Sequence, residues 1–197
     1  MRNFPRLVLI AVTILMGSAV IAQQPAAQTP AAQGFTPVGS ILEIMLGIVD
    51  PTADFLFESV SVVITESGSK ETQPRTEEEW LAVRNNALIL AEAGNLLKIA
   101  RPVGPGRSIK GIEFEPPGPD DLSPAQIEVL LKQNRTPFNN FAQKLTDAAL
   151  VALRAADNRS VEGLYEAGDV IDQACESCHM VYWYPPKPAS AATGRKP

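Results

Sequence analysis

Histidine and cysteine are nearly missing from this chain: its 197 residues hold one histidine, His179, and two cysteines, Cys175 and Cys178. That scarcity excludes a disulfide framework, which uses cysteines spread along the sequence. It also excludes the usual zinc site, because zinc takes about four Cys, His or carboxylate ligands and no further Cys or His exists. No segment alternates apolar and polar residues convincingly, so no strand is expected, and no internal repeat is visible. Basic residues are the minority, 17 Lys and Arg against 22 Asp and Glu. An acidic surface argues against nucleic acid or anionic lipid as a partner and favours basic patches on other proteins.

What the chain does have begins with an apolar run. Arg2 and Arg6 precede Leu7 to Ala22, which is broken only by Thr13, Gly17 and Ser18. A basic start, an apolar middle and a small residue at the end form a secretory leader, so residues 1–22 are expected to be a signal peptide cleaved after Ala22. The alternative is an uncleaved membrane anchor, for which the run is short. Cleavage removes two basic residues and no acidic one, so the mature chain is still more acidic. Residues 23–36 are rich in Ala, Gln and Pro and are expected to be a disordered linker; residues 185–197 read as a flexible tail for the same reason.

Between them the apolar spacing predicts four helical segments and an all-α, antiparallel four-helix bundle over 37–184. The first runs from about Pro37 to Ile64 with Ile41, Met45, Ile48 and Leu56 on its stripe, interrupted at Asp50-Pro51 by a kink or by a break and restart. Thr76 and Glu79 form a capping box that opens the second, to about Ala100. The stretch 101–121 carries five prolines and four glycines, too many for a regular element. Ser123-Pro124 opens the third segment, which ends near Ala156 and is kinked or split near Pro137. The fourth covers about Asn158 to Trp183, with Leu164, Ile171, Cys175, Cys178 and Tyr182 on one face.

The central feature lies on that last segment, Cys175-Glu176-Ser177-Cys178-His179. Residues three apart on a helix share a face, so both sulfurs can reach the two vinyl groups at one porphyrin edge. The adjacent imidazole then offers a nitrogen to the iron. The spacing C-x-x-C-H is that of covalent c-type haem attachment. A thioredoxin-like pair would sit beside a βαβ pattern, which is absent. The expected cofactor is one covalent haem c with its iron, held by Cys175 and Cys178 and ligated by His179.

A leader, four helices and this motif on the last of them resemble the cytochrome c-prime family, the class II c-type cytochromes, and its low-spin relatives. The resemblance covers about residues 37–184, and its one specific motif is the haem site. It implies a haem within the bundle, one face against the first helix. High-spin members leave the sixth iron position open behind an apolar side chain; low-spin members place a methionine there. With the leader removed, the methionines are Met45 and Met180. Met180 adjoins the proximal ligand, whereas Met45 lies about where low-spin relatives carry theirs, so Met45 is either the sixth ligand or a core residue beside Leu42 and Ile48. The family often has a basic or polar residue one turn before that position. Here Ile41 and Leu42 stand there, leaving Arg84, Lys98 or Arg101 as candidate propionate partners, with a solvated surface charge the alternative for each. Tyr182, Trp183 and Tyr184 either pack over the haem edge or belong to the core.

The function expected on these grounds is one-electron transfer in the periplasm with redox proteins as partners, by an electron carrier and not an enzyme. A five-coordinate protein binding nitric oxide or carbon monoxide is the alternative. A peroxidase would want a distal His or Arg, and none is evident. The apolar stretch from Ile41 to Val60 would allow a homodimer through the first helix, as in family members.

Overall fold

The computed structural model describes residues 34–104 and 118–186. The expected leader, nearly all of the linker, most of the irregular stretch after Arg101 and most of the C-terminal tail lie outside them. The unit considered starts at Thr36, and it is mostly helical.

The first helical stretch is capped by Ser40, whose hydroxyl accepts from the Glu43 N–H while the Glu43 carboxylate takes the Ser40 N–H at 2.8 Å. Helix α1, Ile41–Ile44, continues through a wide π turn, Met45–Val49, into α2, Asp50–Ser59. Asp50-Pro51 therefore neither breaks the helix nor restarts it with an Asp cap. Pro51 has no N–H to give to the carbonyl four residues back. The helix widens there instead, and the Asp50 N–H bonds to the Met45 carbonyl. The Thr52 hydroxyl is placed between the carbonyls of Ile48 and Val49, at 2.5 and 3.0 Å.

Two expectations fail directly after this. The first helix ends at Ser59, not near Ile64, and an antiparallel hairpin follows where no strand was expected: β1, Ser61–Thr65, and β2, Gly68–Thr72. The run Val62-Val63-Ile64 is β-branched, and side-chain crowding in a helix turns such a run toward extended backbone. Gly68 permits the reversal, with φ of +129°.

Helix α3, Glu77–Lys98, opens with the Thr76/Glu79 capping box. Ser123 caps α4, Pro124–Gln133, and Asn134 and Arg135 separate it from α5, Thr136–Asp157, so the third expected segment is split, with Pro137 in the first turn of the second piece. Ser160 caps α6, Val161–Tyr182.

Helices α3, α5 and α6 pack with α5 in the middle, and α2 lies against α3. Along α3 and α5 the paired residues step in opposite directions: Arg84 with Asp157, Gly94 with Thr146, Lys98 with Gln143. The interface is close because it is built of small residues. Ala87, Ala93, Ala149 and Ala152 are all but fully buried, around the larger Leu90, Leu97 and Ile171. A Cβ added at Gly94 would meet Thr146 Oγ1 at 2.2 Å and the Ala142 carbonyl at 2.8 Å. Arg101 to Gly104 are bound to this body: the Pro102 and Val103 carbonyls accept the Ile41 and Leu42 N–H groups at 2.9 and 3.0 Å, satisfying donors that a helix start leaves free.

Candidate functional site

Helix α6 positions the residues that carry chemistry. Its buried stripe, Leu164, Ala167, Ile171 and Ala174, runs into Cys175 and Cys178, which pack against the core while remaining partly accessible. Offsets of three and four residues put Cys175, Cys178 and His179 on one side of the helix. Both thiols are free. Burial raises the Cys175 thiol to about 11, with the Asp172 and Asp50 charges adding to the effect. Burial raises Cys178 to about 12. Both are therefore protonated at neutral pH, the reverse of the lowered thiolate pKa that a dithiol redox centre uses.

Burial also holds the His179 imidazole below its usual range, against the opposing pull of Glu176 and Asp50. A neutral imidazole is the form that ligates metals. Among the described residues no hydrogen bond engages its ring nitrogens. Its contacts are aromatic, edge-on to Trp183 at 4.9 Å and to Tyr184 at 5.9 Å between ring centroids. The residues directly after α6 fold back on its last turn. The Trp183 and Tyr184 N–H groups both bond to the His179 carbonyl, at 2.8 and 2.9 Å, and the Tyr184 hydroxyl donates to Glu176 at 2.5 Å. The Trp183 carbonyl accepts from the Leu122 N–H at 2.7 Å. Tyr182 belongs to the core: it is buried, edge-on to Phe138 and Phe141 at 5.4 and 6.1 Å.

The first helical stretch meets α6 in opposite register. Phe57 lies against Gly168, and the Asp50 charge acts on Cys175 and His179. Asp50, read from the sequence only as a cap, is thus a side chain of that stretch whose charge reaches Cys175 and His179. A single sequence gives no signal for it, because the partner lies over a hundred positions away. Met45 opens the π turn one turn earlier and packs, half-buried, against the hydrophobic core. π turns recur at functional positions, since they turn side chains off the regular helical stripe.

The basic residues considered as propionate partners are engaged elsewhere. Arg84 pairs with Asp157 at 2.8 Å, Lys98 bonds to Asn95 and Gln143, and Arg101 donates to the carbonyls of Gly39, Leu96 and Ile99. Arg101 and Arg135 together satisfy the end of α3, where unpaired carbonyls and the helix dipole both favour a cation. Arg135 donates to Leu97 and Ile99 at 2.9 and 3.1 Å and stacks over Phe138. An open groove of about 700 Å³ between α5 and α6 is lined by Lys144, Val151, Val170, Gln173 and Met180. On α6 it is also lined by Asp172, Glu176 and Ser177, so the groove borders the motif, while Cys175, Cys178 and His179 are not among the residues that line it.

A metal held by protein alone needs several converging donors, and among the described residues no group of three His, Cys, Asp or Glu converges. A porphyrin needs much less: two thiols for its edge and one imidazole for its iron. The half-buried, uncommitted Cys175, Cys178 and His179 fit that requirement. Among the described residues no helix is long and apolar enough to cross a membrane. In comparisons with known proteins, the chain matches no family model, no curated protein and no solved structure.

Proposed function

We propose that this is a c-type cytochrome: an antiparallel four-helix bundle that carries one covalent haem on its C-terminal helix and transfers single electrons. Of the cytochrome classes, it is the c-prime class with its low-spin relatives that it resembles. The observation that carries the reading is the set on α6, two thiols and an imidazole on one side of a helix, none of them engaged by hydrogen bond or disulfide among the described residues. The first helical stretch, α3, α5 and α6 would be the four long members of the bundle, with α4 as an added piece.

Each residue then has a defined task. Cys175 and Cys178 hold the cofactor by thioether bonds, and His179 presents a neutral nitrogen to the iron. Trp183 and Tyr184, fastened to the His179 carbonyl, fix the orientation of that ring. The bound haem supplies reversible one-electron chemistry, ferric to ferrous, and needs no general base or nucleophile from the protein. The expected setting is the periplasm and the expected partners are redox proteins with basic contact surfaces.

The second reading, a binder of nitric oxide or carbon monoxide, is favoured by the packing of Met45 against the core. A methionine held there leaves the sixth iron position open. Absorption and magnetic spectra decide, taken on the full chain produced with a working haem-attachment system, beside Met45→Ala. A low-spin spectrum that Met45→Ala converts to high-spin supports electron transfer with Met45 as ligand. A high-spin spectrum unchanged by the substitution supports gas binding, and a colourless chain sinks both readings.

A further inference from the structure

We infer that the outer edge of β1 is a self-recognition surface, on which a second copy of the chain adds its own β1 antiparallel about a twofold axis at Val63. The inference does not rest on the cofactor. Val62, Val63 and Ile64 are 55, 52 and 84% exposed, an apolar run that stays open to solvent. The hairpin pairs only with itself, and among the described residues no backbone hydrogen bond reaches the outer edge of either strand. Two strands alone are marginal in water, and an unpaired edge is a template for another strand.

Sequence decides which edge and which occupant. Strand β1, Ser61-Val62-Val63-Ile64-Thr65, has no charge and no proline, the two devices that blunt an edge. Laid antiparallel on itself about Val63, it sets Ser61 opposite Thr65, Val62 opposite Ile64 and Val63 opposite its own copy. Every cross-strand pair is then uncharged, and the central ones are β-branched, the kind that stabilises sheets. Strand β2 laid on itself about its middle residue sets Lys70 opposite Lys70, and like charges directly opposite repel. A β1-to-β2 contact is heterologous and leaves edges open at both ends. Of the two pairings centred on a strand's middle residue, only that of β1 sets no like charges opposite one another. In the resulting four-stranded sheet the Val62 and Ile64 side chains of both copies share one face.

The test is the mass of the full chain across a concentration range, by sedimentation or light scattering. The parent is expected to dimerise, and Val63→Lys, which sets two ammonium groups on the axis, to weaken association at least about tenfold. Leu88→Glu, on the exposed side of α3, is expected to leave the dimer intact. Helix content by circular dichroism shows whether Val63→Lys still folds. Val63→Cys covers the other case, since position 63 facing itself should cross-link on oxidation beyond the level of the parent. A parent that stays monomeric overturns the inference, as does a dimer that survives Val63→Lys, a dimer lost in Leu88→Glu, or a Val63→Cys chain that does not cross-link.

Discussion

Between α3 and α5, Gly94 leaves no room for even a methyl group, and the buried Thr146 hydroxyl shares its proton between the Ala91 and Ala142 carbonyls, at 3.1 and 3.2 Å. At the far end of α6, two thiols and an imidazole lie half-buried, with no hydrogen-bond partner among the described residues. The first region is close-packed and polar-satisfied, the condition that holds a fold together. The second leaves reactive atoms uncommitted, which costs the fold little because thiols bury as small hydrophobes. Cohesion and chemistry are thus kept in different parts of the molecule, and changes to one should spare the other.

The largest effect that can break this division is at the cysteines. Cys175→Ser with Cys178→Ser should abolish all haem that survives a denaturing gel, while helix content by circular dichroism stays near the parent value. Haem still covalently attached in that variant would disprove attachment at these sulfurs. A chain that unfolds would mean that the thiols serve the core and the division is false.

The converse change is Gly94→Ala. Its Cβ would press on the Thr146 hydroxyl and on backbone, so the two helices must part. Overpacking of this kind costs about 1–3 kcal/mol, against a gain of about 1 kcal/mol from replacing glycine inside a helix. Urea unfolding should show a net loss with haem yield unchanged at low denaturant. Unchanged or increased stability would show that the helices do not approach so closely.

How much of this was legible in the sequence follows the same line. Thr76/Glu79, Ser123-Pro124 and the motif from Cys175 to His179 are local patterns, readable over five residues or fewer, and each cap stands where the spacing predicts. The hairpin carries signals of its own, a β-branched run and a glycine soon after it, but the run also continues the helical spacing of the segment before it and so reads as helix. The Gly94–Thr146 contact, Arg135 at the end of α3 and the Asp50 charge acting on Cys175 are pairings across the fold, and no local pattern marks them. The widening at Met45 has a local cause in Pro51, but a proline there is equally compatible with a kink.

The smallest effect concerns the frame around His179. The Tyr184 hydroxyl gives its proton to the Glu176 carboxylate, and this bond raises the phenol to about 12. A tyrosine in an unfolded chain ionises near 10, so the unfolded state releases this proton first as pH rises. The contribution of the bond is therefore complete below about pH 10 and lost between about 10 and 12, the unfolded chain binding fewer protons throughout that window. Because the pair is largely exposed, solvent screening keeps that contribution well under about 1 kcal/mol. Ultraviolet titration of the phenols should show a late step that disappears in Tyr184→Phe and moves down toward 10 in Glu176→Gln. The imidazole in Tyr184→Phe keeps its Trp183 contact and the backbone bonds to its carbonyl, so haem attachment should persist with only a small change in the spectrum. Tyr184 titrating at its ordinary value in the parent would show that the aromatic end of α6 is not fastened to Glu176. His179 would then be held by Trp183 and the backbone alone.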